Sequence, residues 1–350
     1  MEHKIDLIGF GGVGQGFVDI IREKGLKLKN DHEVEFKVVS ISDLYKGSLH
    51  HPDGLCLDKV MNSICESGSL DGYPDQPGLI RGWSTQETIE KSNADSVVEM
   101  TFTDVVTGQP AIDHCTWAFS NKKNVVMTNK GPVALAYEKL SKLAEANEVQ
   151  WLFEGAVMSG SPALRLPKET LTGNEIHEIR GILNGTTNYM LMRMEDGLSY
   201  QDALQEAKQL GYAEADPTAD IEGYDVLYKV LILANVVLGF PLKREDVLCK
   251  GITDVTQSAI DDAKKAGKRW KLIGSLKRTE SGVKGIVAPE MVALDDPLAG
   301  VSGAMNAITY QCDLSGAITL VGAGAGIKET GFAVLIDLIH IKRGREQEGG

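Results

Sequence analysis

Residues 4–8 (KIDLI) form a short apolar run that ends at a cluster of glycines, and apolar residues at helical spacing follow over 12–24. This pattern predicts strand, tight turn, helix. A second apolar run at 36–42, closing on Asp43, reads as the next strand. Further β-branched runs at 96–100, 124–128 and 149–153 alternate with helical patterns near 108–121 and over 134–147. Strands alternating with helices indicate a parallel sheet with crossover connections. Residues 44–85, rich in Gly, Pro, Ser and Asp, interrupt the alternation and are expected to form an elaborated loop with a short helix around 57–65.

The pattern changes after residue 153. A Gly-Ser-Pro turn at 155–162 leads into a strand-like run at 176–183, mainly helical patterns to 240, and strand-rich sequence over 268–320. An alternating glycine run at 322–326 then opens a last helix, about 328–342, and the tail 346–350 is expected to fray.

The first glycine cluster has the form G-x-G-x-x-G, with Gly9, Gly11, Gly12, Val13 and Gly14 lying between the first strand and the first helix. In that context the first glycine permits the turn, the second lets backbone approach a pyrophosphate, and the third lets helix and strand pack. Backbone N–H groups at the helix start would face the phosphates of a nicotinamide dinucleotide. At the end of the second strand, Asp43 or Ser42 suits the ribose 2′-hydroxyl of NAD, whereas Lys46 suits the 2′-phosphate of NADP. The expected fold class is therefore α/β. A Rossmann-like nucleotide-binding domain is expected over 1–133 and an α+β domain over 134–320.

The second chemical signal is the stretch 213–234, AEADPTADIEGYDVLYKVLILA. Five carboxylates (Glu214, Asp216, Asp220, Glu222 and Asp225) precede Lys229, and the chain then turns apolar. Asp225 and Lys229, four apart, share one face of a helix, and Pro217 suits a first helical turn. A lysine on a buried helix beside a carboxylate can exchange a proton; the same pattern also fits an acidic, salt-bridged helix start.

Overall charge narrows the partners. The chain has 49 acidic against 36 basic residues, a formal net charge of -13, which disfavours nucleic acid and anionic membranes. No apolar run approaches the roughly 20 residues that span a bilayer, and no signal-peptide pattern opens the chain. Five scattered cysteines form neither a disulfide framework nor a metal-ligand spacing, so a cytoplasmic setting is expected.

With both signals in place, the chain resembles the homoserine dehydrogenases over essentially its whole length. The motifs that carry the resemblance are the glycine turn, Thr-Asn-Lys at 128–130, residues 154–162, Gly-Ile-Leu-Asn-Gly-Thr-Thr-Asn-Tyr at 181–189, residues 211–229 and the glycine run 322–326. The resemblance implies reversible NAD- or NADP-dependent interconversion of L-aspartate 4-semialdehyde and L-homoserine, leaning towards NADP. It implies Lys229 as general acid and base and Lys130 as a second active-site lysine near substrate and cofactor. Glu214 and Asp225 match substrate-holding residues; Thr101, Gly211 and Gly326 match cofactor contacts. Glu154, Val157, Ser159 and Ser161 match a sodium site built largely of backbone carbonyls, although Gly155 and Met158 depart from the usual loop. The resemblance also implies a homodimer, with 134–320 as the catalytic and dimerisation domain and 321–345 returning to complete the nucleotide-binding domain, and the length suggests a short form without a regulatory C-terminal domain. The competing readings are a non-catalytic nicotinamide-nucleotide sensor and an aspartate semialdehyde dehydrogenase, which would need an activated cysteine.

Overall fold

The computed structural model describes residues 2–348; the side chains of 345–350, which include the tail 346–350 expected to fray, lie outside the described residues. In chain order the strands are β1 (Glu2–Ile8), β2 (Glu35–Asp43), β3 (Gly47–His50), β4 (Ile80–Arg81), β5 (Ser96–Glu99), β6 (Asn124–Met127), β7 (Trp151–Leu152), β8 (Ile176–Ile182), β9 (Val247–Cys249), β10 (Lys268–Thr279), β11 (Gly282–Ala293), β12 (Met305–Cys312) and β13 (Gly316–Ala323). The helices are α1 (Gly12–His32), α2 (Leu57–Ser67), α3 (Thr85–Lys91), α4 (Ala111–Ser120), α5 (Lys130–Leu135), α6 (Tyr137–Ala146), α7 (Gly185–Glu195), α8 (Tyr200–Gln209), α9 (Thr218–Ile221), α10 (Tyr224–Val236), α11 (Gln257–Lys265) and α12 (Ile327–Glu348).

Residues up to Ala156, with those from Gly326 on, form one compact unit, and Val157–Ala325 form a second. The first unit extends past the boundary expected at residue 133. The reason is that β7 pairs in parallel with β6, so α6 is the crossover between two strands of one sheet. That sheet runs β4-β3-β2-β1-β5-β6-β7. Strands β2, β1, β5, β6 and β7 are parallel, and β5 and β6 are buried at every position, as strands covered on both faces must be. The core includes Ile5, Leu7, Phe17, Val98 and Val126, with Val334 and Leu338 supplied by α12. Residues 44–85 are more ordered than a loop: β3 and β4 add antiparallel strands outside β2. Sheet order reverses at β1, which has β2 on one side and β5 on the other. Such a switch point leaves a crevice at the strand C-termini, where ligands bind in open parallel sheets.

In the second unit the order is β13-β12-β8-β10-β11-β9, antiparallel except for the β9–β11 pair. Ile182, Ile273, Val292, Leu298 and Ala307 form a core on one face. Helix α10 lies close against β10 because residue 274 is glycine: a Cβ there would stand 2.7 Å from Val226 Cγ1 and 2.9 Å from Val230 Cγ2. Among the described residues no helix is long and apolar enough to cross a membrane.

Candidate active site

In the first unit the turn between β1 and α1 has the geometry a dinucleotide needs. Gly9 has φ +87°, and a Cβ there would collide with the Met100 carbonyl at 2.7 Å, so only glycine fits. Gly11 and Gly12 are exposed, nothing stands within 4 Å of where a Gly11 Cβ would be, and no side chain caps α1. The first-turn N–H groups of this 21-residue helix therefore have no side-chain cap at its positive end. Val13 is half-buried and Gly14 buried, where a Cβ would lie 2.9 Å from the Gly9 carbonyl oxygen. The residues present fit a pyrophosphate.

Asp43 braces this turn. Its carboxylate accepts the N–H of Phe10 at 2.7 Å and those of Tyr45 and Lys46 at 3.0 Å. Partial burial works to raise its pKa, but these three donors outweigh it and hold the carboxyl below its usual range. Thr101 follows β5 at the C-terminal edge of the sheet, and half-buried Lys130 opens α5 just after β6. Asn129 caps that helix by accepting the Gly131 N–H at 3.0 Å. Gly326, at φ +139°, precedes α12.

The second unit gathers the acid–base groups. Lys229, only 5% exposed, sits on α10 and donates to the Leu183 carbonyl at 2.5 Å and to Asp225 Oδ2 at 2.7 Å. Asn184 bridges two carboxylates, donating through Nδ2 to Asp220 Oδ1 at 2.7 Å and Asp225 Oδ2 at 3.0 Å. Its Oδ1 caps α7 by accepting the Thr187 N–H at 2.9 Å, so one side chain ties three helices, α7, α9 and α10, and orients both acids. Burial, and then the neighbouring Asp225 charge, raises the Asp220 pKa. Thr186 Oγ1 donates to the Tyr212 carbonyl at 2.5 Å and ties the segment around Gly211, itself exposed at φ +74°, to α7.

The stretch 213–234 is not one helix. Gly223 takes φ +82° and separates α9 from α10, and a Cβ there would stand 3.1 Å from Val287. Asp216 caps the start of α9 through Thr218. Asp220, to which the sequence assigned no role, joins Asp225 through Asn184, whereas Glu214 is exposed and Lys229 pairs with Asp225. The signal that pointed to Asp220 was its place in a specific motif; the 36-residue separation from Asn184 hid the contact.

Glu154 lies in a short 3-10 turn and donates its N–H to Asp337 at 2.9 Å. Val157 and Ser159 are buried, and Met158 and Ser159 are consecutive left-handed residues at φ +58° and +52°. Such conformations cost of order 1–3 kcal/mol each and turn successive carbonyls away from a regular ladder. Ser161 donates from Oγ to the Ala323 carbonyl at 3.2 Å. Among the described residues no three His, Cys, Asp or Glu side chains gather as for a metal ion. The backbone carbonyls of this segment, with the Ser159 and Ser161 hydroxyls, are neutral oxygens of the kind that suits a hard monovalent cation. Cys115, on α4, is buried, and burial followed by the Glu99 charge pushes its thiol up, the opposite of an activated nucleophile.

Comparison with known proteins agrees with this geometry. Residues 162–339 match the homoserine dehydrogenase family model. The NAD(+)-dependent homoserine dehydrogenase of Pseudomonas canavaninivorans is 42% identical over 350 residues, 99% of each chain. The homoserine dehydrogenase of Methanocaldococcus jannaschii is 44% identical over 96% of this chain and 98% of its own. The solved structure of a hyperthermophilic archaeal homoserine dehydrogenase in complex with NADPH is 30% identical, with TM-score 0.84 over 98% of both chains. The chain belongs to the homoserine dehydrogenase family of NAD(P)-dependent oxidoreductases.

Proposed function

We propose that this chain interconverts L-homoserine and L-aspartate 4-semialdehyde with Lys229 as the proton carrier. Oxidising a primary alcohol to an aldehyde removes a hydride and a proton. The nicotinamide dinucleotide supplies the hydride chemistry when bound, held at Gly9, Gly11, Gly12, Val13 and Gly14 with Thr101, Gly211 and Gly326. The chain itself must move the proton. In the oxidative direction the Lys229 amine takes the hydroxyl proton; in the reductive direction its ammonium returns a proton to the new alkoxide. The observation that carries this reading is the buried Lys229, hydrogen-bonded at 2.7 Å to Asp225. Asp225 orients the amine and, with Asp220 beside it and Glu214 at the exposed approach, forms the acidic ground for the substrate ammonium. Lys130 acts as the second active-site lysine.

An acid closing β2 favours a free 2′-hydroxyl over a 2′-phosphate, so Asp43 supports NAD over NADP. The carbonyls of Glu154, Val157, Ser159 and Ser161 form the sodium site in this reading. The half-exposed strand face bearing Glu178, Arg180 and Thr309 supports pairing of two copies as a homodimer. The test is steady-state homoserine oxidation with NAD and NADP separately, for wild type and Lys229→Ala, in sodium, potassium and quaternary-ammonium buffers. Wild-type turnover lost in Lys229→Ala is the expected result. Undiminished turnover in the variant, or none in the wild type, overturns the proposal. Light scattering in solution reads the oligomeric state.

A further inference from the structure

Behind the two strand-end loops of the first unit lies a carboxylate with no role in the chemistry above. Glu99 ends β5 and is fully buried. Its Oε1 accepts the Thr101 N–H at 3.2 Å and the Thr101 hydroxyl, and lies 3.3 Å from Nδ1 of His114, buried on α4. Asn129 grips the same loop from the other side. Its Nδ2 donates to the carbonyls of Thr101 at 3.3 Å and Phe102 at 3.2 Å, while its Oδ1 accepts from Gly131. Lys130 is therefore the residue between a side chain that holds the Thr101 loop and the peptide which that side chain caps. The Thr101 backbone also walls the glycine turn: a Cβ on Gly9 would stand 2.9 Å from Thr101 N and 2.7 Å from the Met100 oxygen.

One carboxylate oxygen thus sets the peptide that touches the glycine turn and, through Asn129, the turn that carries Lys130. Without this acceptor two donors of Thr101 lose their buried partner beside the glycine turn. Bonds to a charged acceptor are stronger than neutral ones, which suits a carboxylate to holding several donors at once. We infer that Glu99 is a positioning residue, one that holds the Thr101 loop and the Asn129–Lys130 turn in the spacing that dinucleotide binding and turnover require. The inference rests on the roles proposed above for Thr101 and Lys130.

The test compares Glu99→Ala, Glu99→Gln and Val98→Ala, the last a buried neighbour on the same strand outside this network. Three quantities are measured: NADH binding by fluorescence titration without substrate, KM and kcat for homoserine oxidation, and the melting temperature. Glu99→Ala is expected to weaken NADH binding about 10-fold and to lower kcat. Glu99→Gln, which keeps an oxygen for Thr101, stays within about 3-fold of wild type in binding. Val98→Ala lowers the melting temperature with NADH binding unchanged. Wild-type NADH binding in folded Glu99→Ala, or an equal loss of binding in Val98→Ala, overturns the inference. If Glu99→Ala does not fold, Glu99→Asp, which draws the carboxylate back from Thr101, takes its place; weaker NADH binding supports the inference and unchanged binding overturns it. Because NADH binding is read without homoserine, failure of the substrate assignment in the wild type leaves this result separately legible.

Discussion

Two lysines in the second unit are almost equally buried and differ in nearly everything else. Lys229, 5% exposed, meets the Asp225 carboxylate; Lys271, 3% exposed on β10, meets only neutral acceptors. Its Nζ donates to Asn188 Oδ1 at 2.9 Å and to the Val301 carbonyl at 2.6 Å. Asn188 in turn donates to the carbonyls of Gly303 at 2.9 Å and Met305 at 3.2 Å, so Lys271 belongs to a knot joining α7 to the segment before β12. Burial, with Arg269 adding to it, lowers the Lys271 pKa to about 8. Burial alone does not make a lysine a catalyst. A carboxylate partner that also faces polar neighbours provides for proton exchange, whereas an ammonium enclosed by carbonyls is a structural clasp whose charge is held at a cost.

The sharpest way to break this contrast is to remove each amine. Lys229→Ala should lower kcat by about 10²–10⁴-fold, the usual scale for a general acid–base group, with its fold retained by circular dichroism. Lys271→Met should keep kcat within a few-fold; a loss equal to that of Lys229→Ala would abolish the distinction. Next in size, Asp225→Asn should cost about 100-fold in kcat/KM, because it strips the charge that orients Lys229 while leaving the helix intact. Asp220→Asn should cost about 10-fold, chiefly in KM for homoserine. A greater loss at Asp220 than at Asp225 would move the centre of the site.

Stability against pH separates the lysines in another way. Lys271 has a lowered pKa in the folded state, so between about pH 8 and its ordinary value of 10.5 the unfolded chain binds more protons than the native one. Stability contributed by this group therefore rises across that window and is absent below it, by about 1–3 kcal/mol in total. Urea denaturation at pH 7.5 and 10 should show this rise in wild type and lose it in Lys271→Met. An equal rise in both proteins would assign it to other groups. The smallest effect concerns the helix break: Gly223→Ala should destabilise by about 1–2 kcal/mol, read as a fall of a few degrees in melting temperature. An unchanged melting temperature would mean that the left-handed turn is not under strain.

Much of the first unit was legible because its signals are local. The apolar run of β1, the glycines at 9–14 and the helical spacing of α1 lie within 25 consecutive residues or so, each stating its own conformation. The i,i+4 pair of Asp225 and Lys229 was visible for the same reason. The antiparallel additions β3 and β4 were not, because short strands among turn residues carry no period of their own. Nor was the extension of the first unit to Ala156, which depends on β7 pairing with β6.

From the sequence alone came the strand–turn–helix with its nucleotide geometry, the lysine four residues after an aspartate, and the family motifs that join them. Those are short-range facts, set by backbone sterics and by side chains a turn apart. Tertiary structure alone decided which acids share an environment and which partners each buried lysine meets. Asn184 reaches Asp220 across 36 residues, Lys229 reaches the Leu183 carbonyl across 46, and Lys271 reaches Asn188 across 83. Asp220 and Lys271 owe their shifted proton affinities first to burial, which no spacing along a chain encodes, and then to the neighbouring charges of Asp225 and Arg269.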